Sequence, residues 1–443
     1  MSEVSIVELS ATDIRDRIDA GVSSCKEMAE GLLKYAKEAD KSIHAFAYLE
    51  DQSVVRQAEI LDEHRMRGAQ SGSLFGIPVA IKDAIDTFDM PAEYGSVLHS
   101  GRQPRWDSTV AKRLREQGAI LFGKTKLPEF CLGQPADTVN PRQLEHTPGG
   151  SSSGSAAAVA AGMVPVAIGT QTVGSVIRPA SFCGVIGFKP TRGLISRSGL
   201  QPLSKTMDQV GVFGRTVEDV ALVSEVLIGA DEQDDLTLGV LPRPLLKVCQ
   251  EDPPFEPKFV FMRTPFWSQM DADAQEAFEA LIEELGDLVV TIDLPESSQQ
   301  VWDLHHTIVE AEFAQVMRDS YLDNKAALSE GIQAIIERGL KISAVDYLTA
   351  LNRVGPISDG FDEFFERFDA IITPASLGAA PKGLSSTGSP IMSALWSFTG
   401  MPCISLPLLQ SANQMPLGVQ LVGRHHDDAR LLRTSRWLMK RFN

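Results

Sequence analysis

Two Gly/Ser islands and one lysine carry residue types that could do chemistry. Lys82 closes the run Pro78-Val79-Ala80-Ile81, one island is Gly149-Gly150-Ser151-Ser152-Ser153-Gly154, and Ser175 ends the other, Gly169-Thr170-Gln171-Thr172-Val173-Gly174. A Ser at the end of a small-residue loop, with free backbone N–H groups just before it, fits a nucleophile that carries its own oxyanion hole. A Lys at the end of a buried strand costs several kcal/mol unless it is paired or neutral. In the neutral form it can act as a base near pH 7. Each residue also has a plain alternative. The Gly/Ser islands read equally well as turns of a large α/β protein, and Lys82 on its own is better explained by an outward turn or a pairing with Asp83 or Asp86.

The elements around these residues follow from hydrophobic patterning. Between the two islands, residues 156–168 carry no charge, and Gly162 and Pro165 break a run already too short to cross a bilayer. The pattern predicts a buried helix over 155–161 and a buried strand over 164–169. Upstream, Ser10 and Asp13 form a capping-box pattern, helices are expected over 24–39 and 51–67, and 78–83 reads as a strand. Downstream, 203–215 reads as a loop and a helix starts at Thr216, with Asp219 completing its box. The acid- and Pro-rich stretch 229–257 reads as a surface boundary. Strands over 258–262, 288–294, 370–374, 404–407 and 418–423, and helices over 272–285, much of 300–370 and 429–441, complete the reading. This alternation predicts one large mixed or mostly parallel sheet covered on both faces by helices.

Composition narrows the function classes. The 443 residues are 43% hydrophobic and 22% charged, ordinary for a globule with a generous core. A net charge of −17, without any Lys/Arg run, argues against a nucleic-acid surface. Five scattered cysteines without C-x-x-C spacing fit buried free thiols in a reducing cytoplasm. The opening MSEVSIVELS has neither a basic region nor an apolar core, so no signal peptide is expected.

Longer motifs lead further. GGSSSGSAAAVAAG followed by GTQTVGSVIRPASFCGVIGFKPT resembles the signature of the amidase signature family. The resemblance extends to FGIPVAIKDAIDT, DSTVAKRLREQGAILFGKTKLPEF, MDQVGVFGRTVEDVA, IITPA and GMPCISLPL…MPLGVQLVG, and is weakest over about 235–365. It implies a single amidase domain over 1–443, with a core at 60–230 and 368–443 and a variable, substrate-facing helical part at about 235–365. It also implies a Ser–cis-Ser–Lys triad of Ser175, Ser151 and Lys82, with the Gly150–Ser151 peptide cis. The backbone N–H groups of Thr172, Val173 and Gly174, with that of Ser175 itself, would stabilise the oxyanion, and Gln171 would lie against the acyl pocket. Ser152 would bond the lysine, and no cofactor or metal is called for. Four positions depart from the family pattern. Ser153 replaces a usual Gly; Gln171 and Val173 replace a usual Asp and Gly. The Arg that the family usually places two residues after the nucleophile is Ile177, with Arg178 next; Arg178 is expected to pair with an acid such as Asp208.

The implied function is hydrolysis of a small amide through an acyl-enzyme, by a cytoplasmic chain with no nucleic-acid or membrane partner and with a homodimer left open. The alternative is the amidase-like subunit of a glutamine-dependent tRNA amidotransferase, or an esterase or carbamate hydrolase on the same fold. A degenerate scaffold that binds amides without turnover is disfavoured by the intact Lys82, Ser151 and Ser175. Gln171, Val173 and the aromatic positions point to an uncharged or aromatic acyl group. The pairs His305-His306 and His425-His426 lack metal-ligand spacing and read as surface or loop residues, with a substrate entrance as the alternative for His305 and His306. Cys183 reads as a buried thiol, Trp396 and Phe398 as core or acyl-pocket residues, and 231–235 as a solvated acidic turn.

Overall fold

The computed structural model describes residues 5–68 and 72–442. Residues 1–4, at the start of the segment read for a signal peptide, lie outside that range. Eleven strands form one sheet: β1 (Phe46–Tyr48), β2 (Pro78–Lys82), β3 (Ile120–Thr125), β4 (Val166–Gln171), β5 (Ile186–Lys189), β6 (Gln209–Gly214), β7 (Phe259–Arg263), β8 (Val289–Asp293), β9 (Ala370–Pro374), β10 (Cys403–Gln410) and β11 (Pro416–Val422). Their order is β1-β3-β2-β4-β6-β5-β10-β11-β9-β7-β8. β2 runs parallel to β3 and β4, and β7 runs parallel to β8 and β9; the other pairs are antiparallel. The sheet is therefore mixed, as expected.

Side chains alternate between the faces of a strand, so burial at every position requires cover on both sides. β2, β3, β4, β5, β6 and β9 are buried along their whole length. Helix Ser153–Ala160 packs against β4, and Ile177–Cys183 packs against β5, β10 and β11. Val217–Leu227 and Asp428–Phe442 cover β6 and β10. The capping boxes of Ser10 with Asp13 and Thr216 with Asp219 are both formed. Among the described residues, no helix is long and apolar enough to cross a membrane.

Two elements depart from expectation. Within 229–257, read as a surface boundary, helix Leu245–Gln250 buries Leu245 and Cys249 against Val217–Leu227 and Asp428–Phe442. The second departure has a visible reason. Residues 209–214, read as loop, form β6, and their glycines mark close packing instead of a turn. A Cβ on Gly211 would lie 2.7 Å from Val176 Cγ2, and one on Gly214 would lie 2.9 Å from Asp219 Cβ. These glycines let β6 approach the segment after Ser175 on one side and helix Val217–Leu227 on the other.

Candidate active site

β3, β2 and β4 are parallel neighbours, so all three end at the same edge of the sheet. Lys82 is the last residue of β2 and is completely buried. Its Nζ lies 2.8 Å from Ser151 Oγ and 2.8 Å from Thr170 Oγ1. Thr170 stands one pleat beyond Ile168, the β4 partner of Ile81, which brings its hydroxyl to the lysine.

The acids beside Lys82 in sequence are engaged elsewhere. Asp83 faces the buried Lys124 at 3.2 Å and accepts the Glu93 N–H at 3.1 Å. Asp86 accepts both terminal nitrogens of Arg102, at 2.8 and 2.7 Å, and the Tyr94 hydroxyl at 2.7 Å. Lys82 thus keeps its burial without a carboxylate partner among the described residues. Burial pulls its pKa below the ordinary lysine value, while the Cys131 side chain and the more distant Asp208 carboxylate pull the other way.

The Gly150–Ser151 peptide is cis, as the family resemblance implied. Gly149, at φ +82°, makes the turn before it, in the left-handed region that glycine enters freely. The Ser152 N–H donates to the Ser175 carbonyl at 3.3 Å, which draws the two serine loops together. The expected bond from Ser152 to the lysine is not formed. The Ser152 hydroxyl accepts the Thr170 N–H and donates to the Thr170 carbonyl, both at 3.2 Å, so it stitches the loop to β4 and leaves the lysine to Thr170. Ser175 is half-buried, and its hydroxyl makes no hydrogen bond among the described residues. The N–H groups of Val173, Gly174 and Ser175 likewise have no acceptor there, as oxyanion donors require.

Gln171 is a brace, contrary to the expectation that it faces the acyl pocket. Its Oε1 accepts the N–H groups of Val176 at 2.8 Å and Ile177 at 3.0 Å, at the start of helix Ile177–Cys183. Its Nε2 donates to Ser397 Oγ at 2.9 Å. Both ends of the amide are used inside the protein.

The expected pairing of Arg178 with Asp208 is absent. Asp208 accepts the Thr172 hydroxyl at 2.7 Å and the N–H groups of Leu203 and Ser204 at 2.8 and 2.9 Å, which use both of its oxygens. Arg178 Nη2 instead donates to the Gly150 carbonyl at 2.6 Å and to Thr387 Oγ1 at 3.1 Å. Its Nε and Nη1 are buried without a partner among the described residues. Burial brings the pKa of this guanidinium down to about 9.

A family model described as Amidase matches residues 27–432. The chain belongs to the amidase signature family. A glutamyl-tRNA(Gln) amidotransferase subunit from Alkaliphilus metalliredigens is 32% identical over 474 aligned positions, covering 98% of this chain and 96% of that one. The corresponding subunit from Carboxydothermus hydrogenoformans is 31% identical, covering 96% of each. Among solved structures, a chain from a vestigial protein complex bearing on the origins of an s-triazine catabolic enzyme superposes with a TM-score of 0.91. It is 25% identical and covers 98% of both chains. The peptide amidase PAM, solved with the competitive inhibitor chymostatin, gives a TM-score of 0.85 at 25% identity, covering 98% of this chain and 97% of its own.

In this member of the family, several residues near the serines escaped the sequence reading. Thr170 lies inside the quoted motif, and its strand register was the available signal. His305 is completely buried, contrary to the expected surface position, and its Nε2 meets the Thr172 carbonyl at 3.0 Å. Ser397, from helix Ile391–Thr399, donates to the Val173 carbonyl at 2.5 Å. No local pattern marks His305 or Ser397, because each reaches the loop from a distant helix. The turn 231–235 is only partly solvated: Asp234 is buried against Arg197 at 2.6 Å. Cys183 is a buried thiol, Trp396 lies in the core, and Phe398 packs 6.4 Å from the His305 ring. Among the described residues, no group of three His, Cys, Asp or Glu side chains is placed to share a metal ion.

Proposed function

We propose that this chain hydrolyses the C–N bond of a small amide whose acyl part carries a carboxylate, with Ser175 as nucleophile, Ser151 as bridging hydroxyl and Lys82 as base. One observation carries the base assignment. Lys82 is buried without a carboxylate partner and in contact with the Ser151 hydroxyl, which favours a neutral amine able to take a proton. Ser175 Oγ attacks the carbonyl carbon; its proton passes to Ser151 Oγ while the Ser151 proton passes to Lys82 Nζ. The carbonyl oxygen takes up the electron pair and is met by the N–H groups of Val173, Gly174 and Ser175. When the tetrahedral centre collapses, the C–N bond breaks and the amine leaves with the proton returned through Ser151. Water, activated by the same relay, then releases the acid from Ser175.

The substrate class rests on Arg178. A buried guanidinium with two unpartnered nitrogens, near the Gly150–Ser151 peptide, suits a carboxylate better than the uncharged or aromatic group suggested by Gln171 and Val173. Glutamine is itself such an amide. The similarity to glutamyl-tRNA(Gln) amidotransferase subunits along nearly the whole chain therefore supports a second reading, glutamine hydrolysis within an amidotransferase that supplies ammonia to a partner. Five buried free thiols support a reducing, cytoplasmic setting for either reading.

A panel of amides with and without a carboxylate, glutamine included, assayed against wild type and Ser175→Ala, tests the proposal. Turnover confined to wild type and to carboxylate-bearing amides supports it; turnover by Ser175→Ala, or no preference for the carboxylate, refutes it. Glutaminase activity that appears only with a copurifying partner favours the second reading.

A further inference from the structure

The three peptide units leading into Ser175 are each held by their carbonyl oxygen. The Thr172 carbonyl accepts from His305 Nε2 at 3.0 Å, and the Val173 carbonyl from Ser397 Oγ at 2.5 Å. The Gly174 carbonyl accepts from the Arg178 N–H at 3.0 Å. A peptide unit is planar and trans, so its N–H points opposite to its C=O. Holding the oxygen of residue 172 therefore aims the N–H of Val173, and holding that of residue 173 aims the N–H of Gly174. These are the N–H groups left without an acceptor.

Neither side chain has a better reason to be where it is. His305 is fully buried on helix Gln300–Asn324. Because a carbonyl only accepts, this contact puts the ring proton on Nε2. Burial holds the ring neutral, with its pKa down to about 3, and neighbouring His306 and Arg192 add to that effect. Its Nδ1 has no partner among the described residues, so the bond to Thr172 is the ring's one polar contact there. The Ser397 hydroxyl accepts from Gln171 Nε2 at 2.9 Å and donates to the Val173 carbonyl. Donor and acceptor roles are thereby fixed along a chain that starts at the brace described above.

We propose that His305 and Ser397 are positioning residues for the reaction at Ser175, each aiming one oxyanion N–H through the carbonyl of the same peptide. This rests on Ser175 as the nucleophile. Losing an oxyanion donor outright costs about 10²–10³ in rate, and misplacement by about 1 Å can cost on the order of 10². A donor that is present but misaimed should fall at or below that range.

The test is the rate at which a fluorophosphonate probe labels Ser175, resolved into kinact and KI, since its phosphoryl oxygen takes the place of the carbonyl oxygen. His305→Leu and Ser397→Ala remove the hold; His305→Gln and Ser397→Thr keep a donor. Expected is a fall in kinact of about tenfold or more in the first pair, with KI within about twofold, and recovery to within about threefold of wild type in the second. Equal rates within each donor-lacking and donor-keeping pair overturn the proposal, as does a loss carried by KI alone. Thermal midpoints identify a variant that has not folded; if His305→Leu is lost this way, the Ser397 pair decides. Wild-type protein labelled at a residue other than Ser175 refutes the nucleophile assignment instead.

Discussion

Replacing Arg178 by Met separates ligand binding from folding. In the free protein the guanidinium is buried without a carboxylate, a state that costs several kcal/mol per ion. Against this stand its bonds to the Gly150 carbonyl and Thr387, worth about 1.5–3 kcal/mol each as charge-assisted hydrogen bonds. The two contributions are of similar size and opposite sign, so the variant should unfold within about 2 kcal/mol of wild type. Binding is not balanced in this way. Nε and Nη1 have no partner to lose, so two charge-assisted bonds to an incoming carboxylate would vanish with nothing gained. At about 1.4 kcal/mol per factor of ten, the loss in kcat/KM should reach at least about 10²-fold. The assay is kcat/KM for two amides that differ only in a carboxylate against a carboxamide. The first should fall by that factor and the second by less than about fivefold, while succinate should raise the thermal midpoint of wild type alone. Equal losses on both amides, at unchanged stability, would refute the anion-binding role.

Lys82→Ala and Ser175→Ala should abolish turnover, whereas Ser151→Ala should leave a small residue of it; full activity in Lys82→Ala, measured on any amide the wild type cleaves, breaks the proton relay. The working form of Lys82 is the neutral one and its pKa is depressed, so kcat/KM should rise with pH along a limb whose midpoint lies below the ordinary 10.5. The Asp208 carboxylate acts to raise that pKa, so Asp208→Asn should move the limb to lower pH. A limb that stays in place or moves upward in the pH–rate profile contradicts this coupling.

The sheet was largely legible in the sequence because its strands are short apolar runs bounded by charges or turns. Where this failed, at residues 209–214, the glycines of a stretch read as loop serve close packing in a strand. Lys82 and Ser175 were visible as polar residues in apolar or small-residue settings, but only the long motifs singled out Ser151 and tied the three together. Their supports were not visible. Thr170 needed the register of β2 against β4. His305 and Ser397 needed the helices that carry them, 133 and 224 residues away from their partners, to be folded against the loop. The expected partner of Arg178 failed because the backbone N–H groups of Leu203 and Ser204 had already claimed Asp208.

The two departures at Gln171 and Ile177 belong together, and that bears on why Arg178 is free. Gln171 Oε1 sits 3.0 Å from the Ile177 N–H, so an acid at 171 and an arginine at 177, the usual family residues, would fall beside each other. With Ile at 177, an acid at 171 would be a buried carboxylate without a cation; the neutral amide instead satisfies both of its ends. It also leaves no carboxylate near Arg178 to occupy its guanidinium. A double-mutant cycle tests this coupling. Gln171→Glu keeps an acceptor for the two N–H groups but buries a charge and loses the donor to Ser397, so it should cost about 1–3 kcal/mol in chemical denaturation at pH 7. The introduced carboxylate would have a folded-state pKa raised by burial, so the cost should shrink as pH falls below that value. Adding Ile177→Arg should recover part of it, with a coupling energy of about 0.5–3 kcal/mol. Strict additivity of the two substitutions would mean that the positions do not meet, and that the freedom of Arg178 has another cause.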